Sequence, residues 1–269
     1  MNGLKGRVIY FAAIFMLAVC AGCTTVVVLP VEYDEEFQRA EVAYLCGDYA
    51  QALRGFSGYA ARQTNPAAIS EALYWQGMCH LARKEFAPAA EMFEKSLSQQ
   101  AAEKWVRGSA LCGLGSALMG SGKHDAASDI YKKALETGVD GIRRDEVLFR
   151  LGLCYQRTGQ WEKAEEYFGL VRKEAPDSQF AEQALEQIDY GEEKVFSVQV
   201  GAYESEEAAS KRVAQLKQMG VEAYVKKIVR AGKVLYCARI GRFSDWGEAN
   251  VQLHRLRGME RIDDAIVKP

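Results

Sequence analysis

"GQWEKAEEYF" (residues 159–168) opens on a glycine, carries a ring two positions on and an alanine five positions on, and closes on an aromatic nine positions on. The same frame stands at "GDYAQALRGF" (47–56), "KEFAPAAEMF" (84–93) and "GKHDAASDIY" (122–131), with starts 37, 38 and 37 residues apart. The rings are Tyr49, Phe86, His124 and Trp161; the alanines are Ala52, Ala89, Ala127 and Ala164; the closing aromatics are Phe56, Phe93, Tyr131 and Phe168. A fixed period of this length marks a supersecondary unit that stacks on copies of itself. The small alanine lets two helices approach closely, and the closing aromatic fills the gap to the neighbouring unit.

Upstream of three of these frames a second motif recurs. "LYWQGMCH", "LCGLGSAL" and "LFRLGLCY" place Gly77, Gly115 and Gly152 at one register. A helix, a turn and a second helix with this pattern resemble the tetratricopeptide repeat (TPR), whose period is near 34 residues. The longer period here implies longer loops between helix pairs. The resemblance implies an all-α solenoid over residues 35–190, about four repeats plus a capping helix. The first repeat carries Glu36 and Arg39 and reads as a polar cap. The capping helix is "SQFAEQALEQI", with Ser178 as its N-cap. Arrays of this family hold a peptide or partner protein on their concave face; the sequence singles out no residue there. Cys46, Cys79, Cys112 and Cys154 fall on first helices, where small cysteines pack well. An oxidising compartment would also allow disulfides.

A short linker, residues 191–194, leads to a region where the period changes to two. Strand 195–202, helix 206–218, strands 222–229 and 234–240, helix 245–256 and strand 262–267 follow, with a hairpin turn at Gly232. "VQVGAYESEEAA" aligns with "ARIGRFSDWGEA" forty residues on, pairing Gly201 with Gly241, Tyr203 with Phe243 and Leu216 with Leu256. Two such halves give a small α+β ferredoxin-like (βαββαβ) unit with both helices on one face of a four-stranded sheet. "FSVQVGAYESEEAASKRVAQLKQMG" followed by "LYCARIGRFSDWGEA" resembles the SPOR domain, over residues 195–269. That resemblance implies binding to peptidoglycan through the sheet and its rim, in particular to glycan strands stripped of stem peptides, which accumulate at division septa.

Side chains alternate along a strand. With Val198, Val200, Tyr236, Ala238, Ile240, Ala265 and Val267 under the helices, Gln199, Leu235, Cys237, Arg239 and Ile266 share the open face. Tyr224, Lys226 and Ile228 join them if Ala223 and Val225 point inward. Amides bond sugar hydroxyls and N-acetyl groups, and apolar surface covers pyranose C–H faces. The glycan-binding candidates are therefore Gln199 and Arg239 for polar contacts, Leu235, Tyr224 and Ile266 for stacking area, and Cys237 between them. Gln199 matches the family's characteristic glutamine. Ala202 stands where some members have Ser, and Cys237 where many have Arg. Gly201 and Gly241 read as backbone turns, and Trp246 as a packing residue at the start of the second helix.

At the other end, Lys5 and Arg7 precede an uncharged apolar run that leads to Ala21-Gly22-Cys23. A basic start, an apolar run and small residues before a cleavage point make an export signal. The cysteine makes it resemble a bacterial lipoprotein signal, with residues 1–22 removed, Cys23 lipidated and 23–34 a linker. Thr24, rather than Asp, after that cysteine resembles an outer-membrane destination on the periplasmic side; an inner-membrane anchor is the alternative, since residues 8–29 are uncharged and long enough to span.

The chain has 269 residues and a net charge of −2, so nothing global points to nucleic acid. The part from 195 on holds 13 basic and 9 acidic residues, a mild positive excess. His80, His124 and His254 are scattered; no metal-ligand spacing, phosphate loop or nucleophile motif is present. No cofactor, metal or catalytic residue is expected. The reading is a non-catalytic envelope lipoprotein with peptidoglycan on one module and a protein partner on the other. An assembly or secretion scaffold driven by the repeats is the alternative, and a wall-turnover enzyme the weaker one. RNA binding lacks an RNP-like aromatic pair.

Overall fold

The structure is a computed structural model, and it describes residues 34–99, 102–138, 143–191, 193–230, 232–257, 262 and 265–269. The signal sequence, the Cys23 lipidation site and the anchor alternative lie outside the described residues. Among those described, no helix is long and apolar enough to cross a membrane.

Eight helices form four antiparallel pairs: α1 (Glu35–Leu45) with α2 (Tyr49–Arg62), α3 (Pro66–Ala82) with α4 (Phe86–Ser98), α5 (Lys104–Gly120) with α6 (His124–Glu136), and α7 (Arg144–Arg157) with α8 (Trp161–Glu174). A ninth, α9 (Gln179–Gly191), closes the stack, and Ser178 Oγ accepts from the Phe180 amide at 3.2 Å as an N-cap should. The ring two positions into each frame is the first residue of α2, α4, α6 and α8. The turn residue before it is left-handed every time: Gly47, Lys84, Gly122 and Gly159 have φ of 83°, 60°, 76° and 73°. A left-handed residue ends the first helix and turns the chain back; Lys84 does this with a side chain.

The two recurrent motifs meet in space. Phe93, Tyr131 and Phe168 lie flat on Gly77, Gly115 and Gly152 of their own first helices; a Cβ there would fall 2.7, 2.6 and 2.4 Å from the ring. Phe93 also presses on Gly113 of the next pair, where a Cβ would come within 2.4 Å. Each ring is fully buried, a burial that stabilises by about 2 kcal/mol or more per ring. Buried Ser70 and Ser96 add a reciprocal link between α3 and α4, each hydroxyl donating to the other's carbonyl at 3.0 and 2.8 Å. The first repeat departs as its sequence suggests. Ala40 takes the glycine register, Phe56 meets Phe37 edge-on at 5.2 Å, and Glu36 pairs with Arg62 at the surface. The five described cysteines are free thiols.

The C-terminal unit runs β1 (Phe196–Tyr203), α10 (Glu206–Gln218), β2 (Ala223–Arg230), β3 (Lys233–Phe243), α11 (Trp246–Arg257), β4 (Ile266–Lys268), and its sheet order is β2-β3-β1-β4. The expected duplication extends to the caps. Ser205 and Asp245, forty apart, accept from the Ala208 and Glu248 amides at 3.1 and 3.0 Å. The last strand is shorter than expected. Ile262 and Ala265 are buried in the core ahead of it, and pairing to β1 covers only Ile266–Lys268.

The two units touch. Trp161, at the start of α8, belongs to the same buried cluster as Phe196, Val198, Leu216 and Leu256, with its ring 4.9 Å from that of Phe196. Trp246 packs edge-on against Phe196 at 5.5 Å. The turn between α7 and α8 therefore docks on the helix-covered side of the sheet and leaves the opposite face open.

Candidate functional site

Pairing across the sheet fixes which side chains share the open face. Antiparallel partners point the same way. Gln199 pairs with Arg239 and Ile266, Tyr224 with Arg239, Lys226 with Cys237, Ile228 with Leu235 and Ser197 with Lys268. All six candidates from the sequence thus lie on one face, together with Lys226 and Ile228.

Two bulges adjust that face. On β1 the register slips between Gln199 and Gly201, so Val200 is an extra residue. Strict alternation would turn Ala202 toward the helices; the bulge returns it to the open face opposite Cys237. Gly201 has an ordinary φ, so it is no turn. It is a close approach, because a Cβ there would sit 2.6 Å from the Tyr203 hydroxyl. On β3 the slip falls at Gly241, whose φ is 67°. Phe243 then points into the core, and Arg242 points outward onto the open face beside the Tyr224 ring, 5.9 Å from its centre.

Exposure divides the candidates. Ile266 is 43% exposed, and Gln199, Leu235 and Tyr224 are half-buried. Gln199 Oε1 and the Tyr224 hydroxyl are buried and accept or donate no hydrogen bond, an unusual state for polar atoms beside solvent-facing neighbours. Cys237 and Arg239 are on the correct face but sealed within it, at 0% and 1% exposure. The expectation that Arg239 offers an accessible polar contact is corrected. Its Nη1 donates to Ser197 Oγ at 3.1 Å and to the Pro269 carbonyl at 2.6 Å, so the guanidinium is held inside the rim between β1 and the end of β4. Burial pushes the Cys237 thiol up, against the pull of Arg239, Lys268 and Lys226.

Three residues outside the candidate set complete the charge pattern. Lys226 is largely covered; burial holds its ammonium below the usual lysine range, Arg239 and Arg242 add to this, and Glu193 opposes it. Glu193, from the segment between α9 and β1, reaches Lys226 Nζ at 3.3 Å and Arg242 Nη2 at 2.6 Å. The signal for Arg242 was Gly241. A glycine inside a strand marks a bulge, and a bulge reverses the parity beyond it.

Residues 192–268 match the family model of the SPOR domain, and residues 71–100 and 106–172 match tetratricopeptide repeat models. The chain carries TPR repeats and a C-terminal SPOR domain. Similar solved structures include MamA, at 21% identity and a TM-score of 0.48 over 57% of this chain and 84% of that one. YrrB, a TPR protein with an unusual peptide-binding site, is 19% identical, with a TM-score of 0.44 over 56% and 75%. A tetratricopeptide repeat protein from Parabacteroides merdae is 16% identical, with a TM-score of 0.48 over 68% and 66%. No curated protein matches the chain.

The TPR array has a groove of about 250 Å³ along the first helices of successive pairs. Tyr74 and Met78 of α3, Cys112 of α5 and Glu146 and Arg150 of α7 line it, with Tyr131 at its floor. Arg150 is already engaged, donating twice to Glu146 Oε1 at 2.9 and 2.6 Å. Several of these positions fall within the recurrent motifs, but repetition alone does not tell a groove residue from a core one until the pairs are stacked. Burial pushes the thiol of Cys112 up to about 12, which keeps it protonated and inert.

Proposed function

We propose that the protein is a non-catalytic cell-envelope lipoprotein that binds denuded glycan strands through its SPOR domain and recruits a protein through its TPR groove. A SPOR domain suggests peptidoglycan binding, and TPR repeats suggest protein–protein interaction. Lipid on Cys23 would hold the chain to the membrane, with the outer membrane the expected one and division septa the expected place of work. Attachment at both ends raises the effective concentration of the recruited partner where both can be reached.

The observation that carries this reading is the open face itself. Gln199 and Tyr224 are half-buried beside exposed Ile266. Their Oε1 and hydroxyl lie unbonded under the surface and meet a sugar once the side chains turn outward, and the Arg242 guanidinium stands 5.9 Å from the Tyr224 ring. A sugar ring offers donors for the first two and C–H surface for the third. Sedimentation with purified sacculi, intact and amidase-treated, tests it. Wild type should bind the amidase-treated material better, and Gln199→Ala with Ile266→Ser should lose that binding. Equal binding by wild type and the double variant would sink the assignment.

The burial of Arg239 and Cys237 removes two of the expected contacts and favours a second reading, a TPR-driven assembly or secretion scaffold with little glycan binding. Deletion of residues 194–269 with full retention of cellular function would support the scaffold.

A further inference from the structure

Glu193 sits where a ligand's anion would. It belongs to the connection between α9 and β1, yet its two carboxylate oxygens bridge a cation on β2 and a cation on β3, Lys226 and Arg242, on the open face of the sheet. The neighbouring residue fixes its position: Lys194 pairs with Glu162 of α8 at 2.5 Å and adopts a left-handed φ of 51°. The connection is thus pinned to the TPR array on one side and lays a carboxylate on the sheet on the other. Arg242 keeps a side chain 58% exposed, so the seat is open to solvent at that end.

We propose that Lys226 and Arg242 form a carboxylate subsite within the glycan face, occupied by Glu193 in the free protein and by the lactyl carboxylate of an N-acetylmuramic acid residue in the bound one. The inference rests on the glycan reading and deepens it. In intact wall the stem peptide is joined through that lactyl carbonyl as a neutral amide. Removing the peptide by amidase leaves a free carboxylate on each such sugar. A subsite for carboxylate therefore reads denudation by charge, and does so beside the Tyr224 ring, 5.9 Å from the Arg242 guanidinium. Exchanging one carboxylate for another keeps both cations paired, so neither is left bare at any stage. Because Glu193 is tied through Lys194 to α8, its release on glycan binding also loosens a contact between the SPOR domain and the last TPR pair.

The test uses the full chain in detergent and soluble glycan fragments in three forms: denuded, denuded with the carboxylates reduced to alcohols, and still carrying stem peptides. Wild type should prefer the denuded fragment by about tenfold over both others, the size expected of one charge-assisted pair. Glu193→Gln removes the internal competitor and should tighten binding of the denuded fragment several-fold, leaving the reduced fragment unchanged. Arg242→Gln should erase the preference. Melting temperatures are measured alongside, because Glu193→Gln leaves the largely covered Lys226 without its carboxylate, and binding is compared per folded molecule. If denuded and reduced fragments bind wild type equally, or Glu193→Gln binds the denuded fragment no better, the subsite is wrong and the glycan reading stands. If no fragment binds wild type, both fall together.

Discussion

The guanidinium of Arg157, at the end of α7, lies 4.5 Å from the centre of the Trp246 ring, at the start of α11. One residue belongs to the last TPR pair and the other to the SPOR domain. Burial holds the Arg157 guanidinium below the usual arginine range, Cys154 and Tyr131 oppose this, and the Trp246 ring face offers the cation a further partner. Together with Trp161 against Phe196, this makes the junction a packed interface rather than a tether. A double-mutant cycle of Arg157→Met and Trp246→Leu, followed by thermal unfolding, should give a coupling of about 1 kcal/mol. A coupling of zero would mean the two side chains are merely adjacent.

His124 should make the same region acid-sensitive. It is the first residue of α6, almost fully buried, with neither ring nitrogen hydrogen-bonded. Burial, reinforced by Arg157 and opposed by Asp125 and Asp245, lowers its pKa to about 4. The folded state therefore resists a proton that the unfolded state takes up near pH 6.5. Stability should be complete above pH 6.5 and fall as the pH drops toward 4, by about 3 kcal/mol from this group alone. The other frames place Tyr49, Phe86 and Trp161 at this position, so His124→Phe should fold and should flatten that part of the pH profile. An unchanged slope in the variant would assign the acid sensitivity elsewhere.

The duplication in both halves of the molecule was legible because repetition is a property of the chain itself. The frame positions, the cap Ser178 and the pairing of Gly201 with Gly241 all follow from counting. Strand parity also placed Gln199, Tyr224, Leu235 and Ile266 on one face. It failed to show that Arg239 is sealed, because the groups that hold it, Ser197 of β1 and the Pro269 carbonyl just past β4, come from elsewhere in the chain. It failed for Arg242 because parity counts residues and the Gly241 bulge adds one. Glu193 carried no signal at all, since its role depends on where the connection from α9 crosses the sheet.

Gly152 tests the stacking rule of the array. A Cβ at that position would lie 2.4 Å from the Phe168 ring, which is itself buried between helix pairs and has nowhere to turn. Gly152→Ala gains helix propensity of up to about 1 kcal/mol and loses more through overpacking, typically about 1–3 kcal/mol. Net destabilisation in urea unfolding is expected. The control is Gly169→Ala, where a Cβ meets nothing within 4 Å and the propensity gain should appear unopposed.

Lys84 tests the turn between α3 and α4. It holds a φ of 60°, where the three other frames use glycine. A non-glycine residue in this region is strained by about 1 kcal/mol, partly offset by the greater backbone entropy that glycine loses on folding. Lys84→Gly should therefore stabilise the chain by a few tenths to about 1 kcal/mol in urea unfolding. Lys84→Val, branched at Cβ, should be the least stable of the series. A loss of stability on glycine substitution would mean the lysine side chain contributes a contact that outweighs the backbone strain.

Arg239 separates structure from binding on the SPOR face. Among the described residues its side chain is the largest of those fully buried, and it bonds Ser197 and the Pro269 carbonyl at once. Removing it leaves a cavity and strips two buried acceptors of a donor. Arg239→Ala should cost about 2–4 kcal/mol of stability. Glycan binding measured well below the new melting temperature should then persist per folded molecule, because the guanidinium is too deep to meet a sugar. Gln199→Ala should show the opposite pattern, with little change in melting temperature and a large loss of binding. Were Arg239→Ala folded and unable to bind while Gln199→Ala bound normally, the roles assigned to the two residues would have to be exchanged.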